Sequence, residues 1–473
     1  MSFIALTLSL LFSTYLIVRD CKRRREVSWA VWIPTLLVMI LASRPPSRWL
    51  QGHAVSLGIE NANDLQNSAA DQMFFFFVLV SAFIVATKRA VKWGRVIANN
   101  SAIMLFYLFF AVSILWSSDP GGSAKRIVKD FGLIFVAGVI FSEKDPLRAM
   151  RAVFVRSAFL LVPLSVVLVR YYPDLGRSYT GTGEMNFTGV TTQKNSLGEM
   201  VLIFSLFLLW DFFEGRPTIN LIRIRPVPWN LLFMLLMGFW LLRLSMSKTS
   251  LMSLTVSAVL LLRGKKLMSR KISRAVLTAA LALPILVFFS QQFSDVIAPL
   301  LGALGRDTTF TGRTEIWSHI TLSTVNPLIG SGYWNFWGGP GGLAFNESLH
   351  EVIPNAHNGY IDIYLDGGFI GLALLLFFLV ANGGRFAKRI GNSADSDRYQ
   401  RMKFAVLIAA IIFNLSESVF ARMDPLWFTT LLMIYEFPMK AAVKELQPDS
   451  TRLKEEDYFP IPEALSGARL GGP

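Results

Sequence analysis

The sequence predicts an all-α protein, a polytopic integral membrane helical bundle of about 12–13 transmembrane helices with a long structured periplasmic loop. Of its 473 residues, 53% are hydrophobic and 16% are charged, whereas soluble domains carry about 25% charged residues. The mean hydropathy is +0.47. Apolar runs of roughly 15 to 20 residues recur from end to end, which is the length that a helix needs to cross a bilayer. A β-barrel is excluded, because barrel strands alternate apolar and polar residues over about ten positions.

The apolar runs divide the chain into four parts. We predict transmembrane helices 1–10 with short cytoplasmic loops at 1–290, a periplasmic loop carrying the catalytic and binding residues at 291–360, and transmembrane helices 11–13 at 361–438. Residues 439–473 are expected to form a disordered cytoplasmic tail, because they are polar and contain proline. The first run is expected to stay as an anchor, and whether it counts as a span decides between a total of 12 and 13. The predicted spans are 2–18, 27–43, 72–87, 99–116, 127–142, 152–170, 197–213, 228–246, 249–262, 275–290, 361–381, 404–420 and 424–438.

Basic residues indicate how these spans are oriented. The net charge is +14, but most of the 46 Lys and Arg residues lie in alternate loops. By the positive-inside rule those loops are cytoplasmic, so the N-terminus lies outside and the C-terminal tail inside. The surplus of positive charge is therefore a topology signal, and we expect no nucleic-acid partner. The richest of these loops are RDCKRRRE, KRAVKWGR, RGKKLMSRKISR and GGRFAKRIGN.

The segment HNGYIDIYLDGGFIG, residues 357–371, carries the strongest functional pattern in the chain. On a continuous helix, the side chains that lie within about 60° of the His357 direction are those of Tyr360, Tyr364, Gly368 and Gly371. This predicts an imidazole held at a membrane surface and glycines that let a neighbouring helix approach closely. A purely structural histidine is the alternative.

Cations on the outer side are few, so those present are informative about phosphate binding. Arg313 begins the one helix expected in the long loop, which Thr311 precedes. Lys248 lies in SMSKTS, Lys194 in TTQKNSLG, and Arg126 in a basic cluster where the fifth span begins. Arginine offers bidentate contacts to phosphate, and lysine offers a point charge. For each of them, an interfacial side chain that reaches up to the headgroups is the alternative.

Other chemistries find little support. The chain has no GxxxxGK[ST] loop, no HExxH pair and no Cys/His metal spacing. ATP-driven pumping and zinc hydrolysis are therefore not expected, and we predict no metal and no cofactor.

Five segments in order resemble the O-antigen ligase and polysaccharide polymerase superfamily, and most of all its rhizobial-type exopolysaccharide production polymerases. The family's motif has His, then Asn, nine residues and Gly, two residues and a small residue, matched here by His357, Asn358, Gly368 and Gly371. The other matching segments are LWSSDPGGSAKR, GVTTQKNSLG, GRTEIW at 312–317 and NPLIGSGYWNF at 326–336.

The resemblance implies glycosyl transfer at the periplasmic face of the bacterial inner membrane, from an oligosaccharide linked to undecaprenyl pyrophosphate, without a metal ion. It places the family's catalytic histidine at His357 and its loop arginine at Arg313. A second family arginine is replaced by Lys248, which keeps the charge but loses the bidentate geometry. Asn358, from the motif, and Tyr360, from its position beside His357, are expected to bind substrate with Lys194 and Arg126. Membrane lipids, a chain-length regulator and a flippase are the further partners expected.

Three functions remain open on the sequence. A polymerase of exopolysaccharide or O-antigen repeat units and a ligase that moves glycan to a lipid A–core or another acceptor share donor and motif. A polysaccharide or lipid transporter is the third, although the polar residues gather at one membrane face rather than at mid-bilayer. Neighbouring genes discriminate the first two, because a flippase and a chain-length regulator favour a polymerase, and core-lipid biosynthesis favours a ligase.

The predicted topology is tested with reporter fusions. Fusions at Gly264 and Gly391 should report the cytoplasm, and a fusion near Gly341 should report the outside, because the basic loops stay inside. An outside signal at Gly264 would overturn the assignment of every functional loop.

Overall fold

Helices carry nearly all of the regular structure of this protein. The computed structural model describes residues 1–51, 68–179, 183–213, 228–262, 269–288, 313–320, 324–350, 352–390 and 397–437. The two strands in this part are three residues long each, so the predicted all-α class is confirmed. The predicted tail at 439–473, as well as Thr311 and Gly312, lies outside the described residues.

Several helices pack around one long helix, α8. It contacts α1, α2 and α10, and most of its side chains are buried. Asp119 and Asp145 cap α7 and α8 through their carboxylates, each followed by proline at the first helical position, as expected of a helix start. The helices are α1 (Ser2–Arg23), α2 (Trp32–Leu41), α3 (Pro46–Gln51), α4 (Ala69–Lys88), α5 (Trp93–Asn99), α6 (Ser101–Val112), α7 (Pro120–Phe141) and α8 (Pro146–Tyr171), with short 3₁₀ turns at Trp29–Val31 and Ser113–Trp116.

The second half of the chain begins with a small hairpin on the predicted outer side. Strands β1 (Arg177–Tyr179) and β2 (Met185–Phe187) pair antiparallel, with Ser178 opposite Asn186. Helices α10, α12 and α17 pack on one another, and α16 packs on α6, α13 and α17. The remaining helices are α9 (Pro173–Gly176), α10 (Lys194–Phe212), α11 (Trp229–Ser245), α12 (Lys248–Leu262), α13 (Arg270–Phe288), α14 (Arg313–His319), α15 (Pro340–Leu349), α16 (Gly359–Ile390), α17 (Asp397–Phe413) and α18 (Pro425–Ile434).

Several of these helices can cross a membrane, which confirms a multi-pass membrane protein. In the described part, α1, α4, α8, α10 and α16 are long and apolar enough to span, and α5 with α6 and its 3₁₀ turn forms a sixth candidate that is bent by 93°. Four shorter apolar helices lie at Trp29–Leu41, Trp229–Ser245, Lys248–Leu262 and Pro425–Ile434. The total of 12 or 13 spans stays a prediction.

Buried ion pairs join helices toward the side that the charge pattern predicts to be cytoplasmic. Arg156 Nε lies 2.8 Å from Asp20 Oδ2, and Arg24 bridges Asp20 and Asp211. Lys403 Nζ lies 3.1 Å from Glu436 Oε1 at the far end of the chain. Each charge has a partner, which offsets the cost of removing it from water. These contacts bring together the ends that the positive-inside rule groups together.

The described residues of the long loop between α13 and α16 form two helices, one more than the sequence predicted. Besides α14, residues Pro340–Leu349, within and after the tract GGPGG at 338–342, form α15. Pro340 occupies the first turn, where its missing N–H costs nothing, and Gly339 precedes it as the N-cap residue. The expectation of a single helix was therefore wrong.

Helix α16 breaks at Gly368, which corrects the assumption of one continuous helix through residue 371. Gly368 has φ 60° and ψ −160°, a backbone region that is essentially restricted to glycine. The break leaves backbone groups without intrahelical partners, and residues 327–332 bond to them. Leu365 and Asp366 carbonyls accept from Ser331 N at 3.0 Å and Gly332 N at 2.9 Å, while Phe369 N and Ile370 N donate to Pro327 and Leu328 carbonyls at 2.8 and 3.1 Å.

The two motif glycines of this helix therefore serve different contacts. A Cβ on Gly368 would lie 2.3 Å from the Leu328 carbonyl carbon, so the close neighbour is a loop rather than a helix. A Cβ on Gly371 would lie 3.3 Å from Phe110 and 3.4 Å from Phe109 on α6, so this glycine does face a neighbouring helix. The helical wheel placed both on one face only because it ignored the break.

We expect Gly368→Ala to destabilise the protein strongly. It adds about 1–3 kcal/mol of backbone strain to the collision with Leu328. The matched control is Gly384→Ala on the same helix, where a Cβ would meet nothing within 4 Å and alanine should be neutral or stabilise by up to about 1 kcal/mol. Thermal unfolding of detergent-purified protein, followed by size-exclusion chromatography, measures both, and equal melting temperatures would contradict the assigned break.

Candidate active site

Glu417, in the turn between α17 and α18, connects residues from three other segments. Its Oε1 accepts hydrogen bonds from Asn195 Nδ2 at 2.7 Å and from Arg313 at 2.9 Å. Its Oε2 lies 3.8 Å from His357 Nδ1. The carboxylate is 11% exposed, so these interactions are only partly screened by water.

His357 presents its Nδ1 to this carboxylate. In the described part of the chain, Nδ1 is buried and has no hydrogen-bond partner, while 28% of the side chain is exposed. The 3.8 Å gap to Glu417 is too long for a hydrogen bond, but catalytic contacts are often long before substrate binds. The His357 backbone adopts φ 49°, and its N–H donates to the Asn355 side chain at 2.9 Å. This left-handed conformation costs energy for a residue other than glycine, so the surrounding contacts must hold it.

The GRTEIW segment sets Arg313 beside His357. Arg313 and Trp317 are one helical turn apart on α14, so both project from the same face. Trp317 Nε1 donates to the Ala356 carbonyl at 2.9 Å, immediately before His357. Arg313 reaches Glu417 through one of its five N–H donors. The salt bridge therefore leaves a guanidinium that can also contact an anion.

Asn358 and Tyr360 lie next to His357 but serve the protein itself. The Asn358 side chain, 2% exposed, accepts from Tyr360 N at 3.0 Å and Ile361 N at 3.2 Å and so caps α16. The Tyr360 hydroxyl, on a side chain 6% exposed overall, donates to the Ile411 carbonyl at 3.1 Å. Their expected contact with substrate is not supported by this placement, because both polar groups are buried and already bonded.

Two helix starts bring lysines to the same region. Lys194 and Asn195 begin α10, and Lys248 begins α12. A Cβ on Gly198 would lie 2.5 Å from Ser250 Oγ, so the first turns of the two helices are in close contact. Thr249 Oγ1 lies 2.5 Å from Ser416 Oγ, which ties the start of α12 to the residue before Glu417. The positive ends of both helix dipoles therefore lie near the Glu417 turn, where they favour an anion.

Arg44 holds the loop that leads into α10. Its guanidinium donates to the carbonyls of Thr191 and Gly189 at 3.2 Å and stacks 5.5 Å from the centre of the Trp49 ring. Burial lowers the pKa of Arg44, with the nearby Arg48 adding to the effect, but arginine still carries its charge at neutral pH. Arg44 is thus a positioning residue for Lys194 and Asn195.

Asp362 anchors the other side of the His357 segment. One oxygen accepts from Ala356 N at 3.0 Å and Trp337 Nε1 at 2.8 Å, and the other lies 2.9 Å from Arg422. Its partner acid on the helix, Asp366, accepts from Asn335 N and Phe336 N at 3.2 and 3.3 Å. The two carboxylates fasten the NPLIGSGYWNF segment and the residues before His357 to α16.

Arg126 is not part of this cluster. It donates to the Trp334 carbonyl at 2.9 Å and lines a separate cavity with Lys129 and Met423. Of the predicted site residues, the structure therefore brings His357, Arg313, Lys194 and Lys248 to the Glu417 turn and its neighbouring helix starts, and places Arg126 elsewhere.

Sequence reasoning missed Glu417 as a site residue. Glu417 is 60 positions from His357, and no spacing connects the two residues. The available signal was a carboxylate near the end of the predicted span 404–420, in the segment NLSESVFARMD. Among the described residues there is no group of three or more His, Cys, Asp or Glu side chains that could hold a metal ion.

Part of this chain is similar to known proteins. A sequence profile of the O-antigen ligase family matches residues 232–376, which include Lys248, Arg313 and His357. The chain is 25% identical over 338 residues to the "Exopolysaccharide production protein ExoQ" of Rhizobium meliloti (strain 1021), which covers 68% of this chain and 73% of that protein. No solved structure is similar. The predicted resemblance is confirmed, and a polysaccharide polymerase or ligase type of function is supported.

Proposed function

We propose that this chain, with its O-antigen ligase region at residues 232–376, polymerises exopolysaccharide repeat units at the periplasmic face of the inner membrane. The donor is an oligosaccharide on undecaprenyl pyrophosphate. The convergence at Glu417 carries the proposal, since His357 and Arg313 meet there within 3.8 and 2.9 Å of one carboxylate. A glycosyl transfer of this kind needs a base and a cation close together.

His357 is the proposed general base. A hydroxyl of the acceptor sugar attacks C1 of the donor sugar, the new C–O bond forms, and the hydroxyl proton passes to Nε2. An imidazole suits this role, because its unperturbed pKa of about 6.5 leaves it largely neutral at physiological pH. Glu417 faces Nδ1 from 3.8 Å and would stabilise the imidazolium that forms. It acts through His357 and is therefore a positioning residue.

The leaving group is the proposed ligand of the cations. As the bond from C1 to the pyrophosphate oxygen breaks, negative charge grows on undecaprenyl pyrophosphate. Arg313, Lys248 and Lys194 can stabilise that charge from a partly dehydrated site, so the proposal includes neither a metal ion nor a cofactor. Attack opposite the departing pyrophosphate inverts the anomeric centre.

The choice between polymerase and ligase rests on the acceptor. Similarity to a protein named for exopolysaccharide production favours a second lipid-linked repeat unit as acceptor. The family description, O-antigen ligase, favours transfer to a lipid A–core or other acceptor. A flippase would deliver the lipid-linked units, and a chain-length regulator would limit their polymer. Growth of polymer in a reconstituted system with lipid-linked repeats alone would support the polymerase.

We expect His357→Ala to abolish polymer while the protein remains inserted and binds donor, with single lipid-linked repeats accumulating. Loss of a general base typically lowers the rate by about 10²–10⁴-fold. His357→Gln separates the roles, because an amide can hydrogen-bond a sugar but cannot take its proton. The matched control is His350→Ala, whose side chain is exposed at the end of α15. Near-normal polymer from His357→Gln would reduce His357 to a positioning residue.

We expect Arg313→Ala to lower polymer yield more than Arg313→Lys, since lysine keeps the charge but loses the planar fork. Lys248→Arg should be tolerated, because the side chain is exposed and arginine can also bind phosphate. Initial rates at matched protein levels measure the effect. Full polymer yield from Arg313→Ala would contradict the proposed pyrophosphate clamp.

A further inference from the structure

The cavity that Arg126 lines is connected to the His357 segment through Arg422, which contacts both Asp362 and the cavity residue Trp334. It has a volume of about 220 Å³ and is formed where the end of α2, the start of α4 and the first half of α7 meet Trp334 and Met423. Pockets for drug-sized ligands measure about 300–1,000 Å³, so this one fits a smaller group. Its lining residues include Leu41, Gln72, Phe75, Arg126, Lys129 and Asp130.

The cavity wall offers both a hydrogen-bond acceptor and a cation. Asp130 lines the cavity and is 2% exposed. Its Oδ1 is buried and has no hydrogen-bond partner among the described residues, so it can accept from a ligand once the carboxylate turns toward the cavity. Its Oδ2 lies 2.5 Å from the Tyr333 hydroxyl. An unsatisfied buried carboxylate oxygen is costly, which points to a donor that is supplied from outside the protein.

Lys129 provides the complementary group one residue away. Its ammonium lies 5.7 Å from the centre of the Phe75 ring, and the described residues show it no ion pair within 4 Å. The other acid in the wall, Asp71, is occupied, because it accepts from Ser47 N at 2.8 Å and from Ser47 Oγ at 2.6 Å. A ligand must therefore donate to Asp130 and accept from Lys129. A purely anionic group can accept from Lys129 but cannot donate to Asp130, whereas two neighbouring hydroxyls of a sugar can do both.

The aromatic side of the cavity is held under strain. Trp334 adopts φ 54°, an outlying conformation for a bulky residue. Four contacts hold it there: Arg126 bonds its carbonyl at 2.9 Å, its Nε1 donates to the Ala421 carbonyl at 2.8 Å, and the guanidiniums of Arg422 and Arg126 lie 4.1 and 5.9 Å from its ring centre. Such over-determined strain is found preferentially at ligand sites.

One short segment connects the cavity to the candidate active site. Residues 417–423 begin at the carboxylate beside His357 and end at Met423 in the cavity wall. Six residues extend at most about 20 Å, so the two places lie within that distance along the outer face. A glycan that reacts at His357 can therefore reach the cavity with a sugar further along its chain.

We infer that this cavity is a saccharide subsite that binds one sugar residue of the glycan, through Asp130 and Lys129, away from the bond being formed. The inference rests on the proposed function and extends its substrate contacts beyond the pyrophosphate. The subsite holds the glycan in register and keeps the growing chain on the enzyme between additions. Asp130 and Lys129 are binding residues in this role and take no part in proton transfer.

The test uses the full-length protein reconstituted with lipid-linked repeat units, extracted from cells that carry the His357→Ala variant. Asp130→Asn and Lys129→Met should each raise the KM for this substrate about tenfold, the loss expected for one charged hydrogen bond, with kcat changed less than about twofold. Polymer chains should become shorter at equal substrate consumption. Lys125→Met, an exposed position on the same helix and outside the cavity, is the matched control and should leave KM and chain length unchanged.

Failure of this inference can be told from failure of the proposed function. If His357→Ala cells accumulate no lipid-linked repeats, the proposed function is wrong, and the cavity loses its substrate with it. If they do, and Asp130→Asn and Lys129→Met show unchanged KM and chain length at wild-type melting temperature, the subsite alone is overturned. A loss of kcat without a change in KM would likewise overturn it, because that result indicates a purely structural role.

A binding measurement identifies the ligand class directly. Oligosaccharides released by mild acid from the host's own exopolysaccharide should show saturation-transfer NMR signals with the purified His357→Ala protein, and Lys129→Met in that background should abolish them. If instead only a polyprenyl pyrophosphate stabilises the protein against heat, and Lys129→Met removes that stabilisation, the cavity is a lipid-phosphate site and the saccharide assignment is wrong.

Discussion

The backbone hydrogen bonds between residues 327–332 and the break in α16 hold the candidate site in place. A helix interrupted within a membrane protein exposes N–H and C=O groups that water cannot reach, and each must find a partner inside the protein. Here Ser331 and Gly332 donate to the carbonyls before Gly368, and the two amides after it donate to Pro327 and Leu328. This exchange turns a long loop into a fixed part of the bundle. Asp362 and Asp366, on the first half of the same helix, then bind the segments on either side of α15.

The positions of the charged groups around Glu417 depend on these hydrogen bonds between the long loop and α16. Arg313 arrives on a short helix that Trp317 fastens to Ala356, and His357 follows one residue later on the chain. Glu417 is itself fixed, because its backbone carbonyl and that of Asn414 both accept from Gly359 N at the start of α16. The partly buried carboxylate bonds to Arg313 and Asn195 and so orients both, and the imidazole of His357 lies 3.8 Å from its second oxygen. Such preorganisation is what a charged transition state requires, since little reorientation remains to be done during the reaction.

The sequence alone predicted the class of the fold, because hydropathy and charge asymmetry are properties of the chain itself. It also selected His357 and Arg313 as candidate site residues from motifs that are local in sequence, and the structure places both beside Glu417. The structure departs from the sequence-based expectations, or adds to them, at three places. The prediction of one helical face for residues 357–371 assumed a continuous helix, whereas Gly368 adopts a backbone conformation that is essentially restricted to glycine. Asn358 and Tyr360 were expected to bind substrate, but α16 and α17 use their polar groups internally. A helix begins within the GGPGG tract at 338–342. Glycines disfavour a helix, but Pro340 occupies the first turn, where proline fits well.

Which side chains meet was decided only by tertiary structure. Glu417 and His357 are 60 residues apart, and Asn195 lies 222 positions from Glu417, so no periodicity or spacing relates them. The same holds for the cavity, where α2, α4 and α7 meet residues from two distant loops. The sequence by itself determined that the chain is a helical membrane protein with a long polar segment and a histidine motif, because burial in lipid and local backbone chemistry act residue by residue. The packing of helices determined the carboxylate behind the imidazole and the unsatisfied oxygen of Asp130, because long-range contacts depend on how the helix faces fit together.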